Sequence, residues 1–138
     1  MNNIILYINT TSEEKVALAL GKTGKLIAKK EFKAKYRQSE RLLPAIDLLL
    51  KKAKVKLQDL AGIAVVRGPG PFTATRIGVT VANALSYALN IKIAGLRADE
   101  FNTVEAMIAM GWKKLKKEKA GKIVEPVYDR EPNITIKN

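Results

Sequence analysis

Arg67-Gly68-Pro69-Gly70-Pro71-Phe72-Thr73-Ala74-Thr75-Arg76-Ile77-Gly78 is the stretch whose reading decides the fold. It follows the apolar run Gly62-Ile63-Ala64-Val65-Val66 and opens a helical pattern, so it reads as a strand passing through a Gly/Pro turn into a helix. Glycine lets the backbone take a positive φ or approach another group closely; proline fixes φ and removes a donor. The helix beyond begins with unpaired N–H groups. Such a corner is either a ligand cradle or a tightly specified packing joint, and Gly-rich turns are more often joints.

Upstream of the corner, Ile4 to Ile8 is a short β-rich run ended by Asn9-Thr10-Thr11-Ser12. Val16 to Leu20 follows, then the turn Gly21-Lys22-Thr23-Gly24 and a third strand from Leu26 to Phe32. Three strands on short turns make an antiparallel meander, and the first two are apolar enough to be buried on both faces. Gln38 to Lys54 reads as a helix with Ser39 as N-cap and Leu42, Ile46, Leu49 and Ala53 as one stripe. Leu43, Ala45, Leu48 and Leu50 widen the apolar surface beyond one face, by deep burial or by contact with another chain. Pro44 is expected to disturb the early helix.

Ile63 to Val66 is the fourth strand. Thr73 to Leu89 is a second helix with Thr73 as N-cap, and its small residues Ala74, Gly78, Ala82, Ala84 and Ala88 permit close approach. Asn90 reads as its C-cap, and Ile91 to Gly95 is a fifth strand. Asp99 to about Lys119 is a third helical stretch interrupted by Gly111; the run Lys113 to Lys119 is a solvated helix end or a phosphate-facing patch. Ile123 to Tyr128 is a short extended piece, and the tail after Pro132 is expected to be loose. The order β-β-β-α-β-α-β plus a C-terminal helix is an α/β arrangement: one ribonuclease-H-like half, as in the actin, Hsp70 and sugar-kinase superfamily, with a mixed five-stranded sheet.

Composition narrows the chemistry. The 138 residues make one domain with a real core. The chain has no cysteine and no histidine, which removes thiolate chemistry, Cys-ligated zinc, the commonest general base and a Ser-His-Asp triad. The net charge of +12 suits a polyanionic partner, while few aromatics argue against a base-stacking platform. The N-terminus shows no signal peptide and no apolar run is long enough to span a membrane, so a cytoplasmic address with no membrane contact is expected. No acidic cluster marks a metal nuclease: the first strand ends in Asn9, and Asp59 and Asp99 stand apart. The same Asn9 replaces the Asp that nucleotide-binding relatives of this half-fold carry, so no metal and no cofactor are expected.

Read together, these segments resemble the TsaB (also called YeaZ) family of tRNA threonylcarbamoyladenosine biosynthesis. The family corner reads close to GPGSFTGLRIG, and Gly68 to Gly78 is GPGPFTATRIG, which carries Gly68, Pro69, Gly70, Phe72, Thr73, Arg76 and Gly78. The family helix start resembles HSE-x-LLP-x-I, and Gln38 to Ile46 is QSERLLPAI, with Ser39, Glu40 and Pro44 in place. A first strand leading into D-T-S/A is matched by Asn9, Thr10 and Ser12. The segment Ala82 to Leu89 resembles AKGLAYAL, and Pro126, Tyr128 and Arg130 resemble a terminal P-x-Y-L-R. Asn9, Gln38, Ala74 and Asp129 stand where Asp, His, Gly and Leu are usual. Family members carry a second domain between the first half and the terminal motif; here roughly Phe101 to Glu125 spans that gap, so residues 1–138 read as a single minimal first domain.

The resemblance implies a non-catalytic scaffold subunit. It pairs through a bundle of first-domain helices with TsaD, the catalytic subunit that transfers threonylcarbamoyl to tRNA. The ATPase TsaE joins the assembly, and tRNA is met indirectly. Arg37, Leu43, Leu50, Arg76, Ile77, Val81 and Leu85, with Arg67, are the candidates for that interface or, for the apolar ones, the core. A homodimer through the same helices stays open, as do a nucleotide-binding half-domain and a free-standing basic RNA-binding module.

Overall fold

The computed structural model describes residues 3–128. Five strands lie in the order β3-β2-β1-β4-β5. They are β1 (Ile4–Asn9), β2 (Lys15–Lys22), β3 (Lys25–Lys33), β4 (Leu60–Gly68) and β5 (Lys92–Arg97). The β1–β2 and β2–β3 pairs are antiparallel; β1–β4 and β4–β5 are parallel. A parallel neighbour needs a crossover. Helix α1 (Gln38–Lys52) makes the crossover into β4, and α2 (Phe72–Leu89) the one into β5. The α/β ribonuclease-H-like half expected from the element order is the fold observed.

Strand alternation divides the core in two. Ile4, Leu6 and Ile8 point to one face and pack with α1 and α2; Ile5 and Tyr7 point to the other. That second face is closed by α3 (Val104–Leu115), which buries Met107, Ile108 and Leu115. Burial on both faces is why β1 is apolar throughout. Tyr7 is fully buried, and its hydroxyl donates to the Ile108 carbonyl at 2.7 Å, which ties α3 to the central strand. Burial pushes this phenol above its ordinary range, opposed in lesser degree by the Trp112 backbone.

Several local expectations are corrected. Ser39 is not the N-cap of α1: the helix starts at Gln38 behind Arg37, and the buried Gln38 amide donates to the Glu13 carbonyl at 3.3 Å, fixing an earlier start. Thr73 is not the N-cap of α2, because Pro71 (φ −58°) presets the entry and its carbonyl takes the Thr75 N–H at 2.9 Å. Pro44 does not break α1; the Glu40 carbonyl that it leaves without a helical donor lies on the exposed side. The third helical stretch is a 3-10 turn (Ala98–Glu100) followed by α3, whose N-cap is Thr103, with its side chain accepting from the Ala106 N–H at 3.0 Å. Gly111 does not interrupt that helix. A Cβ there would stand 2.5 Å from the Tyr7 ring and 3.0 Å from Ala64, so glycine lets α3 seat on the sheet. Asn90 is the left-handed C-cap expected (φ 54°, ψ 49°).

Candidate functional site

The motif residues converge at the corner between β4 and α2. Gly68 has φ +124°, and a Cβ on it would collide with the Val127 carbonyl. The backbone of Arg67 accepts the Val127 N–H at 2.6 Å, and the Arg67 Nε donates to the Glu125 carbonyl at 2.8 Å. Asn83 of α2 holds Val124 by both backbone groups: Nδ2 donates to its carbonyl at 2.8 Å and Oδ1 accepts its N–H at 2.9 Å. Tyr128 meets Phe72 with ring centroids 4.5 Å apart. An extended strap over residues 122–128 therefore lies across the corner and fills the space beside its glycine.

The other side of the corner is filled by the β1–β2 hairpin. A Cβ at Gly78 would collide with the Thr10 hydroxyl, so α2 rests directly on that residue. Thr10 is fully buried and its hydroxyl donates to the Ala74 carbonyl at 2.6 Å. The Thr11 N–H and hydroxyl both donate to Asn9 Oδ1, at 3.0 and 2.6 Å, and the Ser12 Oγ accepts the Glu14 N–H at 3.1 Å. The polar groups that resemble a phosphate-contacting hairpin are thus engaged within the chain. Of the two readings of the corner, the packing joint is the one these contacts support.

The interface candidates lie outside this joint. A groove runs between α1 and α2, with clefts of about 400 Å³ and 310 Å³. Ser39, Thr73, Arg76, Ile77 and Val81 line it. Leu43 follows Ser39 by one turn, on the same flank of α1, and is 52% exposed. Ile77, Val81 and Leu85 repeat every four residues along α2, half-buried against the core. Arg76 sits over the Phe72 ring at 5.0 Å on the rim. Leu48, 56% exposed, is five residues from Leu43 and hence about 140° around α1, away from the groove.

Two candidates are corrected by position. Leu50 is 4% exposed and belongs to the core under α1, so it is not offered to a partner. Arg67 holds the strap instead of facing the groove. Arg37 precedes α1, exposed, with its Nε 3.9 Å from Glu40. Pro126 lies in the strap, whereas Arg130, Asp129 and the tail after Pro132 fall outside the described residues. The basic run is divided: Lys114 pairs with Glu100 at 3.4 Å and Lys122 with Glu118 at 3.7 Å. Among the described residues, no three acidic side chains gather to hold a metal ion, and no helix is long and apolar enough to cross a membrane. The sequence reads Ile123 to Tyr128 as a short extended piece, and the structure adds where it lies, across the β4–α2 corner.

A β-β-β-α-β-α-β sheet, with a Gly/Pro corner closed onto its first hairpin, defines a ribonuclease-H-like α/β half. Comparison with known proteins gives the family. The family model described as TsaD, tRNA N6-adenosine threonylcarbamoyltransferase, matches residues 32–123. The tRNA threonylcarbamoyladenosine biosynthesis protein TsaB of Bacillus subtilis (strain 168) is 38% identical over 96 residues, covering 70% of this chain and 42% of that protein. The protein of the same name from Buchnera aphidicola subsp. Schizaphis graminum is 34% identical over 118 residues, covering 86% and 53%. The solved structure of YeaZ from Pseudomonas aeruginosa superposes with a TM-score of 0.64 at 30% identity, over 69% of this chain and 44% of that one. The chain belongs to the family that this model describes, and within it stands with the TsaB (YeaZ) proteins. It spans about half the length of the curated relatives that it matches.

Proposed function

We propose that this chain is a non-catalytic scaffold subunit in the formation of threonylcarbamoyladenosine on tRNA. On this reading it pairs with a TsaD-type catalytic subunit through the outer faces of α1 and α2. The observation that carries the proposal is the groove itself: Ile77 and Val81 line it, and Leu85 on α2 and the exposed Leu43 on α1 each follow a groove-lining residue by one turn. Two helices of a partner would complete a bundle by packing side-chain ridges into that groove. A cytoplasmic address, recruitment of a TsaE-type ATPase and indirect contact with tRNA belong to the same reading, and residues 1–138 supply it as one first-domain unit.

The engaged hydroxyls of Thr10 and Thr11 speak against an independent nucleotide site at the first hairpin. The test is size-exclusion chromatography with light scattering, on the chain alone and mixed with the TsaD-type subunit of the same organism. A one-to-one complex stable at moderate salt is the expected result; the chain alone then gives a monomer or a homodimer that the partner displaces. A folded chain that forms no complex overturns the proposal. Thermal protection by ATP with magnesium would move the reading to the nucleotide-binding half-domain.

A further inference from the structure

The strap leads the chain to the mouth of the groove. Its course runs from Val124, whose Cγ1 lies 2.8 Å from where a Gly95 Cβ would stand, to Val127 on the Arg67 carbonyl and Tyr128 against the Phe72 ring. It therefore passes from β5 over the end of β4 to the start of α2. Phe72 also lines the upper, 400 Å³ cleft of the groove, together with Tyr36, Ser39 and Ile77. Tyr36 and Phe72 are exposed, so this mouth presents aromatic surface to water. The sequence that continues from Tyr128 is Asp129-Arg130-Glu131-Pro132-Asn133-Ile134-Thr135-Ile136, outside the described residues.

Reach, spacing and charge fit that segment to the groove. Ile134 and Ile136 stand about 20 Å and about 26 Å of extended chain beyond Tyr128. Ile77 and Val81 lie about 8 Å and about 14 Å along α2 from Phe72, and crossing the helix adds about 10 Å, so both are within reach with slack. Alternate side chains of an extended segment are about 6.6 Å apart on one side, and Ile77 and Val81, one helical turn apart, are separated by about 6 Å. Arg76, over Phe72 at the rim, makes no ion pair among the described residues. Asp129 and Glu131 are the acidic residues closest in sequence to Tyr128 on that side. Glu13 also lines the upper cleft, so these carboxylates belong at the Arg76 rim and the isoleucines beyond it. The same alternation would suit a strand added at a sheet edge. The edge strand β3 carries Lys25, Lys29, Lys30 and Lys33, which deter such pairing, and Tyr128 delivers the chain to α2 instead.

We propose that residues 129–136 fold back over Phe72 into the α1–α2 groove, with Ile134 on Ile77, Ile136 on Val81 and the carboxylates of Asp129 and Glu131 at Arg76. So seated, the segment covers the apolar surface that a partner's helices need, and the two compete for it. The contact is intramolecular, so its effective concentration is on the order of millimolar and a weak contact suffices to occupy the groove. The competition rests on the proposed pairing with a TsaD-type subunit; the seat itself does not. A face covered until a partner displaces the cover is also kept from self-association.

The chain has no cysteine, so a single nitroxide can be placed at Thr135→Cys, on the side of the segment opposite the two isoleucines. In the whole chain without a partner, methyl NMR should show Leu43, Ile77 and Val81 broadened by the nitroxide, with Ile108 and Leu115 of α3 unaffected. Adding I134D/I136D should abolish the broadening; circular dichroism checks that each variant is folded. Broadening that persists in that variant, that misses the groove, or that falls on β3 or β5 overturns the proposal. So does broadening of an isotope-labelled chain by a separate nitroxide-bearing copy, which would make the occupant a second chain. Affinity for the TsaD-type subunit is then measured for the unlabelled chain and for I134D/I136D. The variant should pair about 5- to 10-fold more tightly, as follows when the segment holds the groove in most molecules. Equal affinities overturn the competition. Failure of both to pair, with the broadening intact, sinks the scaffold role and leaves the seat standing; equal, tight pairing without broadening sinks the seat and leaves the scaffold role.

Discussion

The β4–α2 corner and the α1–α2 groove are a few residues apart in sequence and opposite in character. The corner holds most of the family motif, yet its glycines face the Val127 backbone and the Thr10 side chain, and the hydroxyls of the hairpin it rests on are spent inside the chain. The groove draws on the same motifs through Ser39, Thr73, Arg76 and Ile77, but leaves Leu43 half in water. The contrast teaches that within one motif the glycines describe how the molecule is assembled. On the proposed reading, what is offered to a partner is the outward apolar residues of those motifs, Leu43 and Ile77, continued by Val81 and Leu85.

If that division is right, changes at the interior and corner should move stability, and changes in the groove should move pairing. Leu50→Asp places an unpaired charge in the core and should cost about 4 kcal/mol or more, abolishing the folded circular-dichroism signal. A folded variant that merely fails to pair would return Leu50 to the interface. Gly78→Val drives a branched side chain into Thr10 and should cost about 3 kcal/mol by urea unfolding. Leu43→Glu should leave the melting temperature within a few degrees and weaken pairing at least about 10-fold. Leu48→Glu, around the helix from the groove, should change neither; equal loss in both would erase the groove as the contact. Asn83→Ala removes both bonds to Val124 and should cost about 1–2 kcal/mol, with faster protease cleavage near the strap and pairing unchanged.

The smallest effect is expected at Asp99. Its hydrogen bond from Arg97 holds its carboxyl below the usual carboxylate range, with burial opposing. A depressed carboxylate adds stability above its ordinary pKa and loses it as pH falls through the lowered value. Both partners are exposed, so Asp99→Asn should lower the melting temperature only slightly at pH 7, and the difference should vanish in acid. A difference that vanished in alkali instead would refute the pairing.

Much of this fold was readable because local signals agreed. The meander, both crossover helices and the left-handed Asn90 cap follow from periodicity and turn chemistry that tertiary contacts did not override. The errors share one cause. Ser39 and Thr73 look like caps, but Gln38 and Pro71 decide where each helix starts. Gly111 looks like a break, but the bulk that it avoids, Tyr7, lies 104 residues away in the chain. Leu43 and Leu50 read alike in sequence, and only the seating of α1 separates them. The extended piece from Ile123 to Tyr128 was legible, but its seat across the corner was not, because its partners Arg67 and Asn83 are distant in sequence.

Gly78 has one more consequence. With no atom between α2 and Thr10, the helix cannot roll about its own axis: a turn of about 100°, one residue's worth, would replace hydrogen with a side chain at that contact. The azimuth of Ile77, Val81 and Leu85 is therefore set on the helix's inner side. The outward bearing of this face is held by an absence, the missing β-carbon of a single glycine.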